Sequence, residues 1–402
     1  MTSKFDISIL ICVLLLILIG FLAIYSATAQ SPADSIRNNF YRQLLWGGTG
    51  LVIGLIALTL SFRLLYRSSY LLYFIAILGL LALFAIGHGS GTQRWIVIGP
   101  ARLQPSEFAK LATVLALARF LSSKDRDLSR FRDLIISFGI VGLPMLLVLR
   151  QPDLGTALVF AGMLFPILYW AGLSPLLLFL FIAPVISFVS AFNLVTFFIV
   201  IFAITAVLYF SHSNKKLLIF NFLLNVAVGI FSPLAWNRLE PYQQSRVLTF
   251  LGLESDPHGV GYQIIQSKVA LGSGGFFGKG FLHGTQTQLR FLPEQHTDFI
   301  YSVIGEEAGF FGALLVLLLF LIILIRGVRI ANAVRSEYTS LVVIGAVTVL
   351  ALHVIINIGV TVGVMPVTGL PLPFLSYGGS SLWTFIFFIG LILNGSMHKM
   401  EY

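Results

Sequence analysis

The sequence predicts an all-α integral membrane protein, a polytopic helical bundle of about 10–12 transmembrane helices with one long structured extracytoplasmic loop. Hydrophobic residues make up 57% of the 402 and charged residues 10%, with a mean hydropathy of +0.95. That leaves too little polar surface to solvate a globule of this size. Apolar runs of about 17–25 residues recur along the chain, the length a helix needs to cross about 30 Å of hydrocarbon at about 1.5 Å per residue.

The apolar segments fall at 7–29, 43–62, 69–87, 106–122, 133–149, 155–172, 174–192, 194–211, 217–235, 299–325, 341–364 and 381–397. The first is followed by Ala27-Thr28-Ala29, which resembles a signal-peptidase site, but its apolar length exceeds that of a signal peptide and predicts an uncleaved anchor. Between 155 and 235, short breaks leave alternative pairings open. Cys12 is the only cysteine, so no intrachain disulfide forms.

Basic residues of the short loops alternate onto one side: Arg63 and Arg67, then Lys124, Arg126, Arg130 and Arg132, then Lys215 and Lys216, then Arg326, Arg329 and Arg335. That side, with both termini, is expected in the cytoplasm. The net charge of +9 therefore reads as topology. With no basic soluble domain, nucleic acid is not an expected partner. Three longer segments face the other way: 88–105, 237–297 and 365–380. The middle one interleaves Val260, Tyr262, Ile264, Ile265, Val269, Leu271, Phe276 and Phe277 with glycines and polar residues, which predicts ordered packing within a single membrane domain over 1–402.

The stretch from Leu292 to Glu307 places Glu294, Asp298, Glu306, Glu307 and His296 in sixteen residues of a chain with sixteen Asp plus Glu. With a helix starting near Thr297, Ser302, Gly305, Gly309 and Gly312 follow Asp298 at offsets of 4, 7, 11 and 14, a small-residue stripe that admits a close neighbour. Asp298 then reads either as a first-turn acid, worth about 0.3–1 kcal/mol against the helix dipole, or as a functional group at the mouth of a packed seam. Glu306 and Glu307 lie deeper and need partners.

Cations stand opposite. In RLQPSEFAKLA, Pro105 and Glu107 suit a helix start, and Lys110 then sits about one and a half turns in, where it snorkels or pairs, with Glu107 as local partner and Asp298 as cross-span candidate. In RQPDLGT, Asp153 suits a helix cap and Arg150 snorkelling. Gly378-Gly379-Ser380-Ser381 opens the last span with backbone N–H groups suited to an anion.

Taken in order, QRWIVIGPARLQPSEFAK, RQPDLGTA, DPHGVGYQIIQSKVALGSGGFFGKG, LPEQHTDFIYSVIGEEAGFFG and PVTGLPLPFLSYGGSS resemble the signature of the SEDS proteins (shape, elongation, division and sporulation) over about residues 94–383, interrupted between about 158 and 236. Within it, KGFLHGTQTQ and FLPEQHTDF are more similar to the rod-elongation members than to the division members. The resemblance implies a peptidoglycan glycosyltransferase of the bacterial cytoplasmic membrane that polymerises lipid II into β-1,4-linked, undecaprenyl-pyrophosphate-linked glycan. It also implies work with a class B penicillin-binding transpeptidase and the elongation machinery.

By the same resemblance Asp298 is the essential acid, Lys110 its charge partner, and Trp95, Arg102, Gln104 and Glu107 the matching outer-loop residues. Arg150, His296, Gly378, Gly379 and Ser380 complete the expected substrate site. Family members usually show ten spans, so 194–211 and 217–235 read as an added pair.

Such a transfer needs a base at the acceptor hydroxyl, typically worth about 100- to 10,000-fold, and positive potential for a departing pyrophosphate. Arg102, Lys110, Arg150 or the glycine-rich helix start are candidates for the latter. Glycosidases usually flank the bond with two carboxyls, so one dominant acid among cations fits transfer. No metal-ligand set is recognised; a divalent cation (Mg or Mn) is expected to accompany the pyrophosphate. Rival readings are a lipid II flippase or transporter, a division-type member of the family, and a non-catalytic scaffold.

Overall fold

The computed structural model describes residues 5–31, 33–86, 94–98, 101–123, 126–128, 130–211, 215–237, 244, 248 and 260–398. Each apolar segment forms a helix: α1 (Ile7–Ala29), α2 (Asp34–Thr59), α3 (Phe62–Ile86), α4 (Pro105–Leu121), α5 (Phe131–Leu149), α6 (Leu154–Trp170), α7 (Pro175–Ser190), α8 (Leu194–Phe210) and α9 (Lys215–Trp236). These are followed by α12 (Ile300–Ala333), α13 (Glu337–Thr361) and α14 (Gly379–Met397). Two further helices, α10 (Val260–Ser273) and α11 (Thr285–Gln288), lie in the long loop, and strands β1 (Ile96–Ile98) and β2 (Ala101–Leu103) pair antiparallel with Val97 opposite Arg102. Among the described residues seven helices are long and apolar enough to cross a membrane, and four more are apolar but shorter. Helices α2 and α3 begin nine and seven residues before their apolar segments, because polar turns around Arg37 and Arg63 continue the helix beyond the apolar stretch.

The chain packs as two compact units, 1–171 with 255–402, and 172–254. In the second, α7–α9 close around Leu180, Ala183, Ile204 and Leu208, and Ser187 donates to Asn225 Oδ1 at 2.7 Å. In the first, α13 and α14 form the centre, with 78% and 83% of their most apolar windows buried against 17% for α3, whose outer face carries exposed Leu71, Phe74 and Ile75.

Helix α12 departs from the sequence expectation. Its 34 residues would reach about 50 Å, well beyond the hydrocarbon thickness. The helix breaks at Gly309 (φ 69°, ψ −164°), leaving 310–333, roughly 36 Å, as the spanning part. The loop after α10 replaces the interrupted ladder. Phe310 N donates to Gly275 O at 2.8 Å and Phe311 N to Phe276 O at 3.2 Å, while Lys279 N and Gly280 N donate to the carbonyls of Glu306 and Glu307, both at 3.0 Å.

The break thus leaves these four groups paired, as apolar surroundings require. Gly278 and Gly309 are both left-handed, and a Cβ on either would lie about 2 Å from backbone of the other segment (2.0 Å from Glu307 O, 2.2 Å from Gly278 N). The two GFFG stretches of the sequence are the two sides of this splice. Helix α10 itself buries Ile264, Ser267 and Ala270 but exposes Ile265 and Val269; with exposed Phe276 and Phe277, only part of the expected packing is realised. Residues 238–243, 245–247 and 249–259 of the same loop lie outside the described residues.

Candidate functional site

Asp298 sits at the end of the first unit where α1 closes and α4, α6, α12 and α14 open. It is not in a helix: α12 begins at Ile300 with Phe299 as N-cap, so the expected start near Thr297 moves three residues on. Three consecutive carbonyls here are held from outside the segment: His296 O accepts from Tyr377 N at 2.9 Å, Thr297 O from Ser376 Oγ at 2.5 Å, and Asp298 O from Asn357 Nδ2 at 2.9 Å.

The donors are themselves fixed. Ser376 Oγ accepts from Leu372 N at 2.8 Å, Asn357 also donates to Leu370 O at 2.8 Å, and Gln43 of α2 donates to Ser376 O while accepting from Gly378 N. Asp298 is half-buried, and a Cβ added at left-handed Gly369 would lie 3.8 Å from its Oδ2, which puts the carboxylate beside the turn before Pro371. Hydrogen bonds therefore hold the acid's backbone from α13 and from Ser376 and Tyr377, a segment that Gln43 of α2 fixes in turn.

Lys110 is fully buried. Its ammonium lies 2.8 Å from Glu107 Oε1 and 2.8 Å from His353 Nε2, so the local partner named by the sequence is the one it takes. Glu107 and His353 thus enclose its ammonium. Trp95 and Arg102 are exposed on the β1–β2 hairpin, and Arg150 is exposed at the C-cap of α5.

Gln104 links the parts. Its N–H donates to Ser380 Oγ at 3.1 Å, and its amide donates to Asp153 Oδ2 at 3.4 Å. Ser380 Oγ in turn donates to Arg102 O at 3.4 Å, which pins the hairpin to the start of α14. Of the glycine-rich helix start, Gly378 N is taken by Gln43, Gly379 packs against the Trp46 ring, and Ser380 and Ser381 are buried. Asp153 caps α6, accepting from Thr156 N and Oγ1 at 3.2 and 2.9 Å.

His296 is half-buried, its ring 5.8 Å from that of Tyr377. Burial pushes its imidazole below the ordinary value, against the opposing pull of Glu294. Among the described residues no group of three His, Cys, Asp or Glu side chains is placed to hold a metal ion.

Glu306 and Glu307 carry structural bonds. Glu306, fully buried, accepts from Lys279 Nζ at 2.8 Å, from the N–H groups of Gln286 and Thr287 at 2.8 and 3.0 Å, and from Thr287 Oγ1 at 2.8 Å. Glu307 accepts from Ser26 of α1. Ser302 bonds Ser267 of α10 at 2.6 Å, and a Cβ at Gly305 would meet Leu271, so the small-residue stripe does seat a neighbour.

The sequence reading missed Arg94, which donates to the carbonyls of Gln151 and Pro152, and His353, Asn357, Gln43 and Ser376. A signal was present in two of these: His353 and Asn357 stand four apart, on one face of an otherwise apolar span.

The family model described as "Cell cycle protein" (FtsW/RodA/SpoVE) matches residues 6–197 and 176–401. Stage V sporulation protein E of Bacillus subtilis (strain 168) is 35% identical over 401 residues, covering 98% of this chain and 97% of that protein. Peptidoglycan glycosyltransferase RodA of Treponema pallidum (strain Nichols) is 35% identical over 429 residues, covering 98% and 97%. A chain in a solved structure described as "Structural coordination of polymerization and crosslinking by a peptidoglycan synthase complex" superposes with a TM-score of 0.75 at 31% identity, covering 99% of both chains.

Proposed function

Because the chain belongs to the FtsW/RodA/SpoVE (SEDS) family of multi-pass membrane proteins, we propose that it is a peptidoglycan glycosyltransferase of the elongation type, polymerising lipid II with Asp298 as general base. The observation that carries the assignment is the clamp on three successive carbonyls, His296 to Asp298, which fixes the backbone that bears one carboxylate at a shared helix end. A base held this way takes the proton of the GlcNAc 4-hydroxyl as that oxygen attacks the anomeric carbon of the lipid-linked MurNAc, inverting it. The pyrophosphate leaves as an anion and needs no proton. Exposed Arg102 and Arg150 supply the positive potential. Trp95 supplies an exposed apolar ring for the sugar or lipid beside them.

Lys110 serves this site from inside the protein, since Glu107 and His353 enclose it. A divalent cation such as magnesium or manganese, brought by the pyrophosphate, would offset the charge of the departing anion. The site end faces out of the cytoplasmic membrane, both termini face the cytoplasm, and the working partner is a class B penicillin-binding transpeptidase. The relative whose structure concerns polymerisation and crosslinking in one complex supports that pairing.

A transporter would gather its polar groups at broken helices near the midplane, whereas here they gather at one helix end. The discriminating experiment gives lipid II to the purified protein, alone and with the transpeptidase. Glycan strands are expected, with more in the complex. Lipid moving between leaflets with no glycan formed would replace the enzyme by the flippase.

A further inference from the structure

The geometry points to His353 as a positioning residue for the glycosyl transfer, a neutral imidazole that joins the buried Lys110–Glu107 pair to the wall of the Asp298 site. This rests on the polymerase reading above. Three side chains meet where no solvent reaches: Lys110 and His353 are fully buried and Glu107 nearly so. An ammonium has donors only, so at 2.8 Å from Lys110 Nζ the His353 Nε2 must accept. The proton of the neutral ring is then on Nδ1, where it donates to Pro371 O at 3.1 Å. Phe385 of α14 fixes the ring plane, its centroid 4.8 Å from that of His353 and 5.7 Å from Lys110 Nζ.

What His353 holds bears on the acid. Pro371 follows Leu370, whose carbonyl accepts from Asn357, one turn along α13 from His353; the same Asn357 amide holds Asp298 O. Gly369, just before them, borders the Asp298 carboxylate. One face of α13 therefore fixes the 370–371 carbonyls, the backbone of the acid and the ammonium of Lys110 together. Without an acceptor at 353 the ammonium loses one of its two partners and the turn beside Asp298 loses a bond. The reacting geometry then loosens while the exposed substrate contacts stay in place.

The side chain needed is one that accepts on one side and donates on the other. Glutamine has both groups; leucine has neither.

The test compares wild type, His353→Gln and His353→Leu, purified in the same detergent, for thermal midpoint and for kcat and KM on lipid II. His353→Leu is expected to lose at least about tenfold in kcat with KM for lipid II little changed, as a displaced catalytic group does. His353→Gln is expected to recover most of that loss. If His353→Leu keeps wild-type kcat, or if His353→Gln is as slow as His353→Leu while folding as well as wild type, the inference fails. If His353→Leu does not fold, His353→Gln decides alone: a kcat within a few-fold of wild type supports the inference, and a loss of about tenfold or more in a variant that folds as well as wild type overturns it. Failure of wild type to make glycan would instead overturn the polymerase reading, so the two failures are distinct.

Discussion

At the scale of single residues, burial decides which charges act on a substrate and which act within the protein. Glu107, Lys110 and Glu306 are all buried and hydrogen-bonded, whereas Asp298 is half-buried and Arg102 and Arg150 are exposed. His296, beside the acid, has a measurable consequence. Its folded pKa lies below the ordinary 6.5, so in the window beneath that value the unfolded chain binds more protons than the folded one. The stability it contributes is complete above about pH 6.5 and is lost as pH falls towards the lowered folded value. The thermal midpoint of the wild type is therefore expected to drop between about pH 7.5 and about pH 5.5, and His296→Gln to reduce that drop. An equal drop in both proteins would mean that His296 carries no such linkage.

At the scale of elements, the broken α12 holds the site's outer framework. Its splice with 275–280 and the Glu306 carboxylate fix the segment that leads through α11 to Asp298. Gly309→Ala forces a Cβ to about 2 Å from Gly278 N (2.2 Å) at a positive φ, so stability should fall by roughly 3 kcal/mol or more, read as the detergent midpoint of unfolding. A midpoint unchanged from wild type would contradict the splice.

Helix positions were legible because apolar length and a cap such as Asp153 are local signals. The break was not, because a single glycine inside a span is ordinarily carried by the helix and the partner loop of Gly309 is about thirty residues earlier in sequence. The Lys110–Glu107 pair was legible from its three-residue spacing. The clamp on 296–298 was not, because it joins residues about 60 to 80 apart through backbone carbonyls that carry no sequence signature.

At the scale of the whole molecule, family membership supports a peptidoglycan glycosyltransferase, and the proposed site would put its chemistry at one membrane face. The sidedness is open to a direct check in a background lacking Cys12. An impermeant thiol reagent should label Glu294→Cys in intact cells and Arg335→Cys only after permeabilisation; the reverse pattern would place the site in the cytoplasm. The central claim, that the Asp298 carboxylate is the base for lipid II polymerisation, has one most direct measurement: the rate of glycan formation by wild type and Asp298→Asn, each shown to be folded and bound to its transpeptidase. Loss of at least about 100-fold with binding intact is predicted for the amide, which keeps the shape and removes the base. Polymerisation by Asp298→Asn at the wild-type rate would contradict it.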